Sequence, residues 1–158
     1  MPSNARPSSS TLETRNVLSG ILFGIGLVAF IDETVFHQLL HWHHFYDKST
    51  TNTGLVSDGL FHAASWFATI ASLFLLADLR RQQAWQRIRW IGGVCLGAGA
   101  FQLYDGLIQH KWMRLHQIRY HVDIVPYDVG WNVIAAAILL AGIVLVWRTN
   151  GEPATQQP

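Results

Sequence analysis

At 158 residues the chain has room for one domain, and with 50% hydrophobic but only 13% charged residues it lacks the roughly 25% charge of an ordinary soluble one. A net charge of +1, with its eleven Lys and Arg spread over short segments between apolar runs, excludes a nucleic-acid partner. The single cysteine, Cys95, lies in a Gly-rich apolar run; it excludes an internal disulfide and a thiolate metal cage, and reads as a packing residue.

In chain order, residues 1–14 are rich in Ser and Pro without an apolar period and read as a disordered segment, as does the tail 150–158. Residues 15–149 between them form one transmembrane domain. Its apolar runs, about 17–40, 60–79, 90–108 and 129–147, each approach the ~20 residues that cross a ~30 Å hydrocarbon core. Arg6 and Arg15 ahead of the first run raise a cleavable signal peptide. No small-residue cleavage pattern closes that run, which passes directly into Asp32, Glu33 and His37, so it reads as a retained span. Arg80, Arg81, Arg87 and Arg89 fill the connection between the second and third spans, Arg15 precedes the first and Arg148 follows the fourth. The expectation is cytoplasmic termini and a His-rich outer face, although Lys48, Lys111, Arg114 and Arg119 moderate the bias.

An internal repeat is the most specific signal. Gly24, Gly26, Asp32 and His37 recur as Gly97, Gly99, Asp105 and His110, giving GxGxxxxxDxxxxH twice at an offset of 73 residues. Asp58 with His62 is answered by Asp128 with Asn132, each pair four apart at the entry to an apolar run. The fold class expected is therefore an all-α membrane bundle of four helices, made of two tandem two-helix repeats in the same orientation, related by a pseudo-twofold axis along the membrane normal. Asp32 and Asp105 each lie 15 residues into their spans, ~22 Å above the inner boundary at 1.5 Å per residue. Gly20, Gly92 and Gly93 join the repeated glycines as small residues that permit close helix approach.

On an ideal helix Glu33, His37, His41 and His44 share one stripe and His43 points away. Imidazole and carboxylate one turn apart suit Zn, Fe, Mn or Cu(II), and Asp58 with His62 adds a second such pair. The expected metal ligands are His37, His41, His44 and His62 from the first copy, with His110 and His116 from the second. Asp32, Glu33, Asp58, Asp105, Asp128 and Asn132 are expected to orient the ligating imidazoles or relay protons. Asp32 and His37, five apart, are about 140° around a regular helix, so they meet one ion only if the helix is distorted. The second copy is poorer in ligands, with Gly106, Arg114 and Gln117 where Glu33, His41 and His44 stand, although His116 corresponds to His43 and His121 follows. A single site would then come mostly from the first copy.

Structural readings compete with these. His41, His43 and His44 beside Trp42 also suit an interfacial anchor, and Trp112, Trp131 and Tyr127 belong to an aromatic belt. Asp32 and Asp105 could be neutral members of a hydrogen-bond network, although a carboxylate at membrane depth usually marks a site or an ion path. The Arg80 to Arg89 connection reads as a topology determinant and a contact for anionic lipid.

At these residues the chain resembles a bacterial family of uncharacterised four-span membrane proteins, a domain of unknown function. Its recurring runs are similar to Asp32 through Trp42-His43-His44, Asp58 to His62, Asp105-Gly106 to His116-Gln117, and Tyr127-Asp128 with Trp131-Asn132. The likeness covers Gly20 to about Trp147 and departs at Glu33, where Gly is expected. The resemblance implies no established activity; it implies a bacterial inner (plasma) membrane location and, through genes beside cytochrome oxidase assembly factors, a respiratory or copper-linked context.

The first functional expectation is a multi-pass membrane protein with an outer-face His/Asp site for a divalent transition metal (Zn, Fe or Cu), linked to metal handling or respiratory-complex assembly. Met113, the one thioether near the layer, is too little sulfur for a dedicated Cu(I) carrier. The second is a zinc-dependent membrane hydrolase acting on lipid, since Asp58 with His62 and His37 with His41 resemble motifs of seven-span membrane ceramidases and progestin-receptor-like proteins. The third is a proton or ion path through Asp32 and Asp105, which in four helices requires a homo-oligomer. Whether the chain is an enzyme is left open, with no catalytic residue assigned; its expected partners are membrane lipid and a homo-oligomer or respiratory assembly partner.

Overall fold

In the computed structural model, which describes residues 8–150, the chain is all-helical, with no strand among the described residues. Four helical stretches are long and apolar enough to cross a membrane, Ser9–Leu39, Thr51–Arg81, Arg87–Trp112 and Val125–Arg148, and they contain the α-helices α1 (Ser9–Asp32), α2 (Thr51–Arg81), α3 (Arg87–Leu103) and α4 (Val125–Arg148). Both α1 and α3 run on into segments of wider, π-helical turns, Glu33–Leu39 and Tyr104–Trp112.

Caps, rather than hydropathy, set the helix starts. The Ser8 hydroxyl accepts a bond from the Thr11 N–H at 3.3 Å, so α1 begins at Ser9 and residues 9–14, expected to be disordered, belong to the helix; residues 1–7 and 151–158 lie outside the described residues. The Thr50 hydroxyl likewise accepts from Thr53 N–H, starting α2 nine residues before its apolar run and placing Asp58 about two turns inside the helix. Pro126, with no N–H to satisfy, stands in the first turn of α4.

The helices pack in the order α2, α1, α3, α4, with α1 and α3 as the central pair. The central seam is backbone against backbone. A Cβ built on Gly20 would stand 2.3 Å from the Trp90 carbonyl oxygen and one on Gly24 2.1 Å from that of Val94. Reciprocally, a Cβ on Gly93 would stand 2.5 Å from the Val17 carbonyl oxygen and one on Gly97 2.2 Å from that of Ile21. Such approach is the use of small residues in membrane bundles, where lipid offers no hydrophobic drive and dispersion contacts must supply association.

At the end of the bundle that carries the chain termini, polar groups close the packing. Asn16 is buried, donating to Leu12 and Ala84 carbonyls and accepting from the Gln86 N–H at 2.8 Å. Arg89, 73 residues on and also buried, reaches Glu13 at 3.0 Å, the Thr149 carbonyl at 2.6 Å and Asn150 at 2.9 Å. Arg89 is thus a structural tie, and not the lipid contact its place in the Arg-rich connection suggested.

Candidate metal centre

The opposite end of the bundle is built by the two π-helical segments and the irregular stretches that follow them. Where α1 ends, Leu40 N–H donates to the Val35 carbonyl and Trp42 N–H to that of Phe36; where α3 ends, Met113 donates to Ile108 and Leu115 to Gln109. His41 and Arg114, again 73 apart, turn the chain with φ of 50° and 52°. Wider turns move residues five apart toward one face. The distortion that the Asp32 and His37 spacing requires is therefore present: Asp32 Oδ2 lies 3.7 Å from His37 Nε2, and Asp105 Oδ2 lies 3.0 Å from His110 Nε2.

Helical geometry ends at Leu39, so the stripe through Glu33, His37, His41 and His44 does not form. His41 is exposed and belongs to no cluster. His44 sits in the loop, its Nδ1 2.6 Å from Asp58 Oδ2. His62 is half-buried and accepts from the Trp66 indole N–H at 3.2 Å, away from the other histidines. Asp128 is paired with Lys111, and Asn132 bonds the Asp128 carbonyl at 2.8 Å beside Gly106. His121 is exposed.

The residue that a regular helix turned away is at the centre. His43 is buried, and its ring lies 4.5 Å from that of His37, 4.6 Å from that of His116 and 6.1 Å from that of His110. Its signal in the sequence was the 73-residue spacing to His116, the same as between the repeated Gly, Asp and His positions. His37 and His43 are joined in this layer by His110 and His116, while Asp32, Glu33 and Asp58 complete the groups from the first part of the chain.

The partners of each ring fix its tautomer. A carbonyl can only accept, so His43 Nδ1–H donates to Ile118 O at 3.0 Å and His116 Nδ1–H donates to Phe45 O at 2.9 Å. The Nε2 of each ring then carries a lone pair, and both are buried without a hydrogen-bond partner among the described residues, as are His37 Nε2, both nitrogens of His110, Asp32 Oδ1 and Asp105 Oδ2. Burial, followed by the imidazoles of His116, His37 and His110, pushes the His43 pKa down to about 2, so its ring is neutral.

Ligand atoms within 4.8 Å of one another form three buried groups: His43, His110 and His116; Asp32, His37 and His43; and Glu33, His37 and Asp58. The third is better read as a brace. Asp58 Oδ1 is 3.1 Å and Glu33 Oε2 2.8 Å from His37 Nδ1, and Asp58 also accepts from the Phe45 N–H at 2.7 Å. A carboxylate on the far nitrogen orients a ligating imidazole and raises its basicity. Access comes from a cavity of about 410 Å³ lined by His41, Trp42, His43, His44, Asp47 and Tyr120. Burial and the nearby Asp47 push the Tyr120 hydroxyl up to about 12, so it stays protonated there.

Four spanning helices carrying one buried layer of imidazoles and carboxylates define a multi-pass membrane protein with a layer able, by geometry, to hold a metal ion. The chain belongs to the family described as Predicted membrane protein (DUF2243), which matches residues 19–149. No curated protein and no solved structure matches it.

Proposed function

We propose that this protein binds a divalent transition metal, Zn, Fe or Cu, in the layer formed by His37, His43, His110 and His116 with Asp32 and Asp105. The observation that carries the reading is the set of buried Nε2 atoms without a hydrogen bond on His37, His43 and His116, whose Nδ1 atoms already face a carboxylate or a carbonyl. Buried polar atoms in folded proteins nearly always have partners, and a concentration without them at one level calls for a ligand. The donor set of nitrogen and carboxylate oxygen selects borderline divalent ions over Cu(I).

In this reading the termini are cytoplasmic, the layer lies on the outer side of a bacterial inner membrane, and the chain serves metal handling or the assembly of a respiratory complex. Support comes from the arginines at the opposite end of the bundle and from the polar loops around the layer. The same reading takes the chain as a duplicated hairpin, supported by contacts that recur 73 positions apart. The cavity beside His43 favours one alternative, hydrolysis of a lipid by zinc-bound water with Asp32 or Asp105 as base.

The test is elemental analysis of the full chain purified in detergent without a histidine tag, alongside a His43→Ala, His116→Ala variant of matched helicity. Near-stoichiometric metal that falls at least tenfold in the variant supports the reading. Wild-type protein that holds no metal and takes up none on titration with Zn, Fe or Cu overturns it. Lipid turnover appearing only after metal addition would select the hydrolase.

A further inference from the structure

The four imidazoles are not arranged around one point. His43 and His116 have ring planes within 5° of parallel and centroids 4.6 Å apart. Side by side in one plane at that separation their edges would collide, so the rings lie face on face with an offset. An imidazole lone pair lies in the ring plane, and ligating nitrogens sit about 2.0–2.1 Å from the metal. Lone pairs in two separate parallel planes cannot both meet one ion in good geometry. Although His43, His110 and His116 each place a ligand atom within 4.8 Å of the others, the stacked planes favour separate ions for His43 and His116.

Each has its own companions. His43 has His37, tilted 69° to it, with Asp32 within reach of both. His116 has His110, tilted 78° at 4.7 Å, with Asp105 Oδ1 3.5 Å from His116 Nε2 and Oδ2 3.0 Å from His110 Nε2. Corresponding members of the two triads are 73 residues apart, and so are the carbonyls that hold the stacked rings, Phe45 and Ile118. Both triads contain buried atoms that make no hydrogen bond among the described residues: His37 Nε2, His43 Nε2 and Asp32 Oδ1 in one, and His110 Nε2, His116 Nε2 and Asp105 Oδ2 in the other.

Charge is compatible with the same count. Asp32, Glu33, Asp58 and Asp105 are 1–3% exposed, and no Lys or Arg forms an ion pair with them among the described residues. Four such carboxylates are enough to balance two divalent cations.

Resting on the metal reading above, we infer a two-ion centre: one divalent ion held by Asp32, His37 and His43, and a second by Asp105, His110 and His116. Each ion has two imidazoles and one carboxylate with open positions, the ligand set suited to Fe(II) and its neighbours. The positions are unequal. His37 Nδ1 is braced by Glu33 and Asp58, while His110 Nδ1 has no partner among the described residues, because Gly106 stands in place of Glu33 and Lys111 holds Asp128. Loss of such a brace typically weakens a metal site 10–100-fold, so the first ion binds tighter than the second by about that factor.

The experiment is titration of metal-stripped full chain in detergent with Fe(II) under anaerobic conditions and with Zn(II), followed by calorimetry and elemental analysis after desalting. Two ions per chain, bound in two phases, is the expected result. His37→Ala and His110→Ala should each retain one ion, and Asp58→Asn should merge the phases by weakening the tighter one. Wild-type protein that saturates at one ion overturns the inference and leaves the metal reading standing; wild-type protein that binds none overturns both. The wild-type stoichiometry decides even if a variant fails to fold.

Discussion

The two ends of the central helices bury polar groups in opposite ways. Near the termini Asn16 spends its amide on Leu12, Ala84 and Gln86, and Ser19 and Ser72 exchange hydroxyl-to-carbonyl bonds at 3.0 and 2.7 Å. At the far end, on the extensions of the same helices, nitrogens of His37, His43, His110 and His116 and oxygens of Asp32 and Asp105 are equally buried and make no hydrogen bond among the described residues. Burial of polar atoms is thus not by itself a sign of function in this bundle. Unsatisfied atoms also occur singly near the termini, on Trp85, Gln86 and Arg89, so what sets the far end apart is their gathering in one layer on residue types that ligate metals.

The contrast can be broken most severely between the two ends. Gly24→Val, whose Cβ alone would stand 2.1 Å from the Val94 carbonyl oxygen, should prevent α1 and α3 from seating. No monodisperse protein is expected on size exclusion, and recovery of normal folded material would contradict the seam. Asn16→Leu is next. It leaves the Ala84 carbonyl and Gln86 N–H unpaired and should lower stability by about 2–3 kcal/mol, read as a lower melting temperature in detergent, with metal content unchanged. A parallel loss of metal would blur the division between the ends.

Asp32→Asn sharpens the comparison because it acts in the opposite direction. It removes a buried charge without changing shape, so metal binding should fall while the metal-free protein melts higher, by about 1–2 kcal/mol of stability. Metal-free protein that melts lower would show that Asp32 is part of a structural network. The smallest effects are expected at His41 and His62. Either changed to Ala should leave metal content intact and stability within about 0.5 kcal/mol, since neither joins the buried groups.

Much of this was legible in the sequence. Low charge and four apolar runs gave the four spans, and the Gly, Asp and His spacing singled out Asp32, His37, Asp105 and His110, which all reach the layer. What misled was the assumption of a regular helix past Glu33. Phase counted at 100° per residue assigned His41 and His44 to the site and sent His43 away, but π-helical turns and a left-handed His41 reset the phase. Neither is encoded by hydropathy. The 73-residue spacing carried the missing information, because it pairs His43 with His116 whatever the local geometry. Asp128 and Asn132 stand outside the buried groups for a different reason: Lys111, which a hydropathy reading treats only as loop charge, pairs with Asp128.

The loops over the layer are clasped to each other. His43 is tied to Ile118, His116 to Phe45, Asp47 N–H to the Leu115 carbonyl at 3.1 Å and the Lys48 ammonium to that of Met113 at 2.9 Å. Two of these four fasteners are the imidazoles that face the layer, so on the metal reading an ion on their Nε2 atoms and the loops held by their Nδ1 atoms would be coupled through the same rings. Coupled in this way, the layer suits a keeper of its cargo better than a courier.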